Sequence, residues 1–100
     1  MGMNFQRLAQ QAMERMQRVE SELAAATVEG SAGGGVVRVT ASGRQEILSV
    51  TIEPSAVDPD DVEMLQDLVL AAVNDALRAS RELAQSKMAE VTGGLRLPGL

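Results

Sequence analysis

Asp58-Pro59-Asp60-Asp61-Val62-Glu63-Met64-Leu65-Gln66-Asp67-Leu68-Val69-Leu70-Ala71-Ala72-Val73-Asn74-Asp75-Ala76-Leu77 is the stretch on which the fold turns. Asp58 is placed to cap a helix, Pro59 suits its first position, and Asp60, Asp61 and Glu63 complement the positive end of the helix dipole. From Val62 onward, Leu65, Val69, Ala72, Ala76, Ala79 and Leu83 form one apolar row. Leu70, Val73, Leu77, Ala84, Met88 and Val91 form a second. A helix apolar on two sides has to be covered on two sides. No breaker intervenes before Gly93-Gly94, so a helix is predicted over 58–92, about 50 Å long. A break near Ser80 is the alternative to one unbroken rod, although no proline demands it.

Upstream, Phe5, Ala9, Ala12, Met16, Val19 and Leu23 alternate steps of four and three, one face of an amphipathic helix predicted over 4–26 with Asn4 as its cap. Gly30 to Gly35 reads as a loop, because ordering glycine costs the most backbone entropy. Val37, Val39 and Ala41 then alternate with Val36, Arg38 and Thr40. After the Ser42-Gly43 turn, Leu48, Val50 and Ile52 alternate with Ile47, Ser49 and Thr51. Two strands follow, Thr27 to Glu29 could supply a third, and together they occupy 27–53. Pro54 closes the sheet. The expected class is α+β, a single domain over 1–100, with an N-terminal helix, a small antiparallel sheet of two to three strands, a long C-terminal helix and a loosely held tail at 93–100. So small a sheet is marginal alone, and the second apolar row has no partner in the chain. A second copy completes it, which makes Leu65, Val69, Ala72, Val73 and Ala76 the expected dimer interface.

Composition removes most chemistry. The chain of 100 residues holds no His and no Cys, so imidazole bases, thiolate nucleophiles, disulfides and soft-ligand zinc or iron–sulfur sites are excluded. No Tyr or Trp is present and Phe5 is the one aromatic residue. The longest apolar run, Leu68 to Val73, is far too short to cross a bilayer, and the expectation is a cytoplasmic protein with no membrane partner. No enzyme activity and no cofactor are expected.

Four constellations remain. Gly33-Gly34-Gly35 lacks the lysine and the following helix of a phosphate-binding loop, and reads as a connector. Asp58, Asp60, Asp61, Glu63 and Asp67 offer carboxylates but no EF-hand spacing, and read as helix capping and solvation with no metal. These five carboxylates match the net charge of −5 in number, so the remainder of the chain is balanced. The third constellation is basic. Arg7, Gln11, Arg15 and Arg18 fall within about 80° of one another on the first helix, centred about 120° from its apolar stripe. Arg78, Arg81 and Gln85 share a face of the second helix. Arginine suits phosphate because its planar fork donates two hydrogen bonds at once. The competing reading is a solvated face with internal pairs, Glu14 to Arg18 and Arg78 to Glu82 at i,i+4 spacing. Finally, Met3 and Met13 are candidates for an adaptable partner surface, while Met16 fits the core row.

Four ordered segments together carry a resemblance. A-Q-Q-A-M-E-R-M-Q at 9–17, V-E-G-S-A-G-G-G-V-V-R-V-T at 28–40, the 58–77 stretch quoted above and T-G-G-L-R-L-P-G-L at 92–100 are similar to the YbaB/EbfC family of bacterial nucleoid-associated proteins, from about Leu8 to Leu100. The resemblance implies a tweezer-like homodimer with paired sheets at its base and helical tines that grip duplex DNA, without catalysis or cofactor. The tines correspond to 4–26 and the later part of the second helix, where the two Arg stripes lie. This chain departs from its relatives in relying on Arg, with Lys87 its single lysine. The expected function is gripping duplex DNA mainly through phosphate contacts, influencing gene expression or nucleoid organisation. The alternative is a dimeric adaptor for a replication or recombination protein, using the Met-bearing helices or the Leu95 to Leu100 tail.

Overall fold

The computed structural model describes residues 2–94, with side chains placed from 4 to 91. Helix α1 (Gly2–Ala25) leads into strand β1 (Thr27–Ala32), a glycine turn (Gly33–Gly35), strands β2 (Val37–Ser42) and β3 (Ile47–Ile52), a short turn at Pro54–Ala56, and helix α2 (Val62–Gly94). The sheet is antiparallel in the order β1-β2-β3. The α+β class and element order are as the sequence predicts, and β1 is a full third strand.

The alternation in β2 decides the core. Val37, Val39 and Ala41 point to one face and are fully buried beneath Ala72 and Ala76 of α2, with Val28, Leu65, Leu68, Val69 and Val73 packed around them. Small residues at 72 and 76 let the helix approach closely, and Gly30 takes the approach furthest. A Cβ at Gly30 would overlap the backbone nitrogen of Ala76 and lie 2.6 Å from the carbonyl oxygen of Ala72. Glycine is therefore a strand residue here, paired with Val39. The expected loop over Gly30 to Gly35 shrinks to Gly33–Gly35, all three with positive φ. The strand gains its place from contact between backbones, which outweighs glycine's weak propensity.

Two other boundaries move. Asp58 does not cap the helix: its side chain accepts from the Asp60 N–H at 2.9 Å and its carbonyl from the Asp61 N–H, closing a turn. Asp61 is the cap, accepting from the Met64 N–H at 3.2 Å, three residues on. The helix then continues through Ser80 and as far as Gly94 without a break. Ser80 is fully buried because its hydroxyl donates to the Ser42 carbonyl at 2.7 Å and accepts from the Gln45 N–H at 3.0 Å. That pair of bonds ties the rod to the β2–β3 turn, where Gln45 has a positive φ of 65°. The expected tail at 93–100 is helical at Gly93 and Gly94; Leu95 to Leu100 lie outside the described residues.

A second, smaller cluster joins the helices. Val19 and Leu23 of α1 are buried against Val91, Leu83 and Ala84 of α2, and the Gly43 N–H donates to the Leu23 carbonyl at 2.9 Å. Beyond Val19 the first helix runs out as an arm, and the molecule measures 72 × 26 × 16 Å. On that arm Met16, expected in the core row, stays 38% exposed, and Met13 is exposed as expected. The side chain of Met3 lies outside the described residues.

Candidate nucleic-acid interface

Arg7, Gln11, Arg15 and Arg18 are all exposed on α1. The helical repeat aligns them, and the burial of Val19 and Leu23 fixes which side of the helix turns inward. Ion pairing sets Arg78 apart from the other arginines. Among the described residues the side chains in ion pairs are Arg78 with Asp75 at 3.6 Å and Lys87 with Glu22 at 3.3 Å. Arg78 thus pairs three residues upstream, not with Glu82 as its spacing suggests, because Asp75 is held near the sheet by accepting from the Ser31 N–H at 3.1 Å. Among the described residues, the guanidiniums of Arg7, Arg15 and Arg18 have no carboxylate within 4 Å. The Glu14 to Arg18 pair that the spacing allows does not form.

Arg15 and Arg18 line an open groove of about 400 Å³ between the helices, together with Val19, Glu22, Glu90 and Val91. Sequence spacing sets Glu22 four residues from Arg18 on the same helix, but only the antiparallel crossing of α1 and α2 brings Glu90 beside residues so distant in the chain. Arg78, Arg81 and Gln85 are exposed too. They lie nearer the sheet, with Arg81 about 14 Å along α2 from the level of Glu90. Within one subunit the two stripes are therefore not one surface. The arm supplies unpaired cations, and the base supplies Arg81 beside an Arg78 already engaged.

The residues expected at a dimer interface lie where α2 meets the chain's own sheet. Ala72 and Ala76 have no accessible surface left, and Leu65, Val69 and Val73 pack around them on the chain's own sheet. What stays open is β3. Ile47, Leu48, Val50 and Ile52 are each more than a third exposed, because α2 lies over β1 and β2 and scarcely touches β3. Ile52, Val50 and Ile47 pair with Val37, Val39 and Ala41, and directly paired residues share a face. An irregularity at Thr40/Ala41 brings Ile47 onto that face, one residue out of the plain alternation. Asp75 anchors one flank of α2 to β1, so the flank about 160° away, with Leu70, Val73 and Leu77, borders the open face of β3. No group of three or more carboxylates capable of holding a metal ion occurs among the described residues, and no helix among them is long and apolar enough to cross a membrane.

The chain is thus a two-layer α+β unit that extends a helical arm carrying exposed arginines. The sequence matches the model of the YbaB/EbfC DNA-binding family over residues 1–95, and the chain belongs to that family. Curated relatives called nucleoid-associated proteins agree. One from Moorella thermoacetica is 62% identical over 82% of this chain and 79% of its own. Another, from Desulforamulus reducens, is 56% identical over 100% of this chain and 98% of its own. Among solved structures, an uncharacterized protein, HP0035 from Helicobacter pylori, superposes with a TM-score of 0.78 at 22% identity, over 89% of this chain and 94% of that one, which shows a shared fold.

Proposed function

We propose that the protein acts as a homodimer that holds duplex DNA mainly through phosphate contacts from Arg7, Gln11, Arg15 and Arg18 on each arm, with Arg78, Arg81 and Gln85 contributing nearer the base. It would work in the nucleoid, on DNA organisation or gene expression. The observation that carries this reading is the unpaired state of three guanidiniums on one exposed helical face. An arginine without a carboxylate gives up no ion pair when it meets a phosphate. The contacts would be largely indifferent to sequence, since Phe5 is the one aromatic side chain and the stripe offers Arg and Gln suited to phosphate oxygens.

Dimerisation supplies what one subunit lacks. A second copy seated on β3 and the neighbouring flank of α2 would cover Ile47, Val50, Ile52 and Leu70, and would set two arms around one duplex. Leu65, Val69 and Val73 border that surface, whereas Ala72 and Ala76 support it from beneath. Changing Val50 to Asp should yield a folded monomer by light scattering, because it places an unpaired charge at the centre of the contact. A dimer unchanged by that substitution would place the interface elsewhere.

The test of DNA binding is the combined change of Arg7, Arg15 and Arg18 to Gln. Removing one phosphate contact lowers the slope of log affinity against log salt by about 0.9, so removing six from a dimer abolishes most of the electrostatic attraction on unrelated duplexes alike. Fluorescence anisotropy at several salt concentrations reads this directly. Unchanged affinity and slope would make the stripe a solvated face and favour the adaptor for a replication or recombination protein.

A further inference from the structure

The first helix carries more apolar surface than the described part of its own subunit covers. Val19 and Leu23 are buried with Val91 of α2, whereas Phe5, Leu8, Met13 and Met16 of the same helix are each more than a third exposed. Phe5, Ala9, Ala12, Met16, Val19 and Leu23 follow steps of four and three, the repeat of a coiled-coil seam. The uncovered part of that seam is symmetric in size. About the midpoint between Gln10 and Gln11 the small Ala9 and Ala12 are equidistant, and so are the large Phe5 and Met16, with Leu8 and Met13 equidistant on the two margins. A surface that reads alike in both directions is complementary to its own copy turned end for end.

We propose that α1 of one copy pairs antiparallel with α1 of a second copy along this seam, Phe5 against Met16 and Ala9 against Ala12 of the second copy. The alanine layers let the helices approach to about 8 Å at the middle, and the large side chains close the two ends. The direction follows from what is already occupied. A parallel partner would bring its own α2 level with the α2 that covers Val19 and Leu23, and the two would collide. An antiparallel partner sets its Val19 beyond Phe5, clear of the first copy's α2. The two-fold axis of such a pair lies across the helices and returns each residue to the same side of the seam. Arg7, Arg15 and Arg18 of both copies therefore share one side of the pair, spread over about 22 Å, and stay open to phosphate. Four seam residues per arm bury less than the roughly 1,200 Å² of a lasting interface, so the pairing is reversible and grows with local concentration. In the homodimer proposed above each particle has two arms, and pairing them would link dimers into chains; that consequence rests on the dimer, while the arm pair itself does not.

The absence of cysteine allows the register to be trapped. Chains carrying Ala9→Cys, mixed with an equal amount of chains carrying Ala12→Cys, should form the mixed disulfide about tenfold faster than either variant cross-links to itself, as read by mass spectrometry. Products in statistical proportion, or faster coupling of position 9 to position 9, would overturn the proposal. Adding Phe5→Glu to both variants should slow the mixed disulfide about tenfold, because it sets a charge against Met16 of the second copy. An unchanged rate would overturn the register. The same mixture in a Val50→Asp background separates the arm contact from the base. There the mixed disulfide should still form at the rate seen without Val50→Asp, and its loss would show that the arms meet only inside a dimer joined at β3, which overturns pairing between separate copies.

Discussion

The base and the arm solve opposite problems with the same few residue types. At the base, Val37, Val39, Ala41, Ala72 and Ala76 have no accessible surface, and two backbones touch at Gly30. On the arm, the same helical periodicity that buries Val19 and Leu23 leaves Phe5 77% and Met16 38% exposed. Amphipathic pattern thus specifies a face without specifying what covers it. Where a neighbour exists the face becomes core; where the fold extends a helix into solvent it becomes an interaction surface.

The sharpest way to break this contrast is at the base. Gly30→Ala forces a Cβ into the backbone of α2, so it should cost about 3 kcal/mol or more, since helix and sheet cannot separate without opening the core around Val39. Thermal unfolding followed by circular dichroism would show it, and a variant as stable as the parent would mean that α2 is not seated there. Next in size is Ser80→Ala. It removes one hydrogen bond to the Gln45 N–H and one to the Ser42 carbonyl and leaves those two groups to each other at 3.2 Å, at a cost of about 1.5 kcal/mol by denaturant titration. A smaller effect, about 1 kcal/mol, is expected for Asp61→Ala, which removes the cap of α2, and Asp58→Ala should cost less because that side chain closes only the preceding turn. The order of those two measurements decides where the helix begins. Smallest of all, Arg7→Gln on the arm should change stability by less than about 0.5 kcal/mol, because it touches no buried group. A large destabilisation there would show that the arm is packed through its arginine face.

The legible parts of the sequence are those where a local pattern has one physical meaning. Val37, Val39 and Ala41 alternate because one side of β2 is buried, and the long apolar rows of α2 could not sit on anything but a helix. The Arg stripe is legible for the same reason, as a matter of helical repeat alone. Gly30, by contrast, reads as loop because glycine by itself signals only permissiveness; the need for a missing side chain lies in Ala72 and Ala76, more than forty residues away. Asp58 and Asp61 are both good caps in isolation, and local spacing does not choose between them. Ser80 has the character of a weak point in the rod, yet its hydroxyl answers two backbone groups in the β2–β3 turn.

From its sequence alone this protein is determined to be a helix, a small antiparallel sheet and a long helix, without the side chains for thiol, imidazole or phenol chemistry, and with arginines gathered on one face of its first helix. Periodicity and composition act within a few turns or strands, and they suffice for that much. The tertiary structure decided which of the two apolar rows of α2 lies on its own sheet, leaving Ala72 and Ala76 without accessible surface and β3 with its apolar face open. It also decided that Arg78 is engaged by Asp75 while Arg7, Arg15 and Arg18 are not. Both outcomes depend on how the helices cross the strands, and that crossing is fixed by contacts such as Gly30 against Ala76 between residues far apart in the chain, which no local pattern encodes.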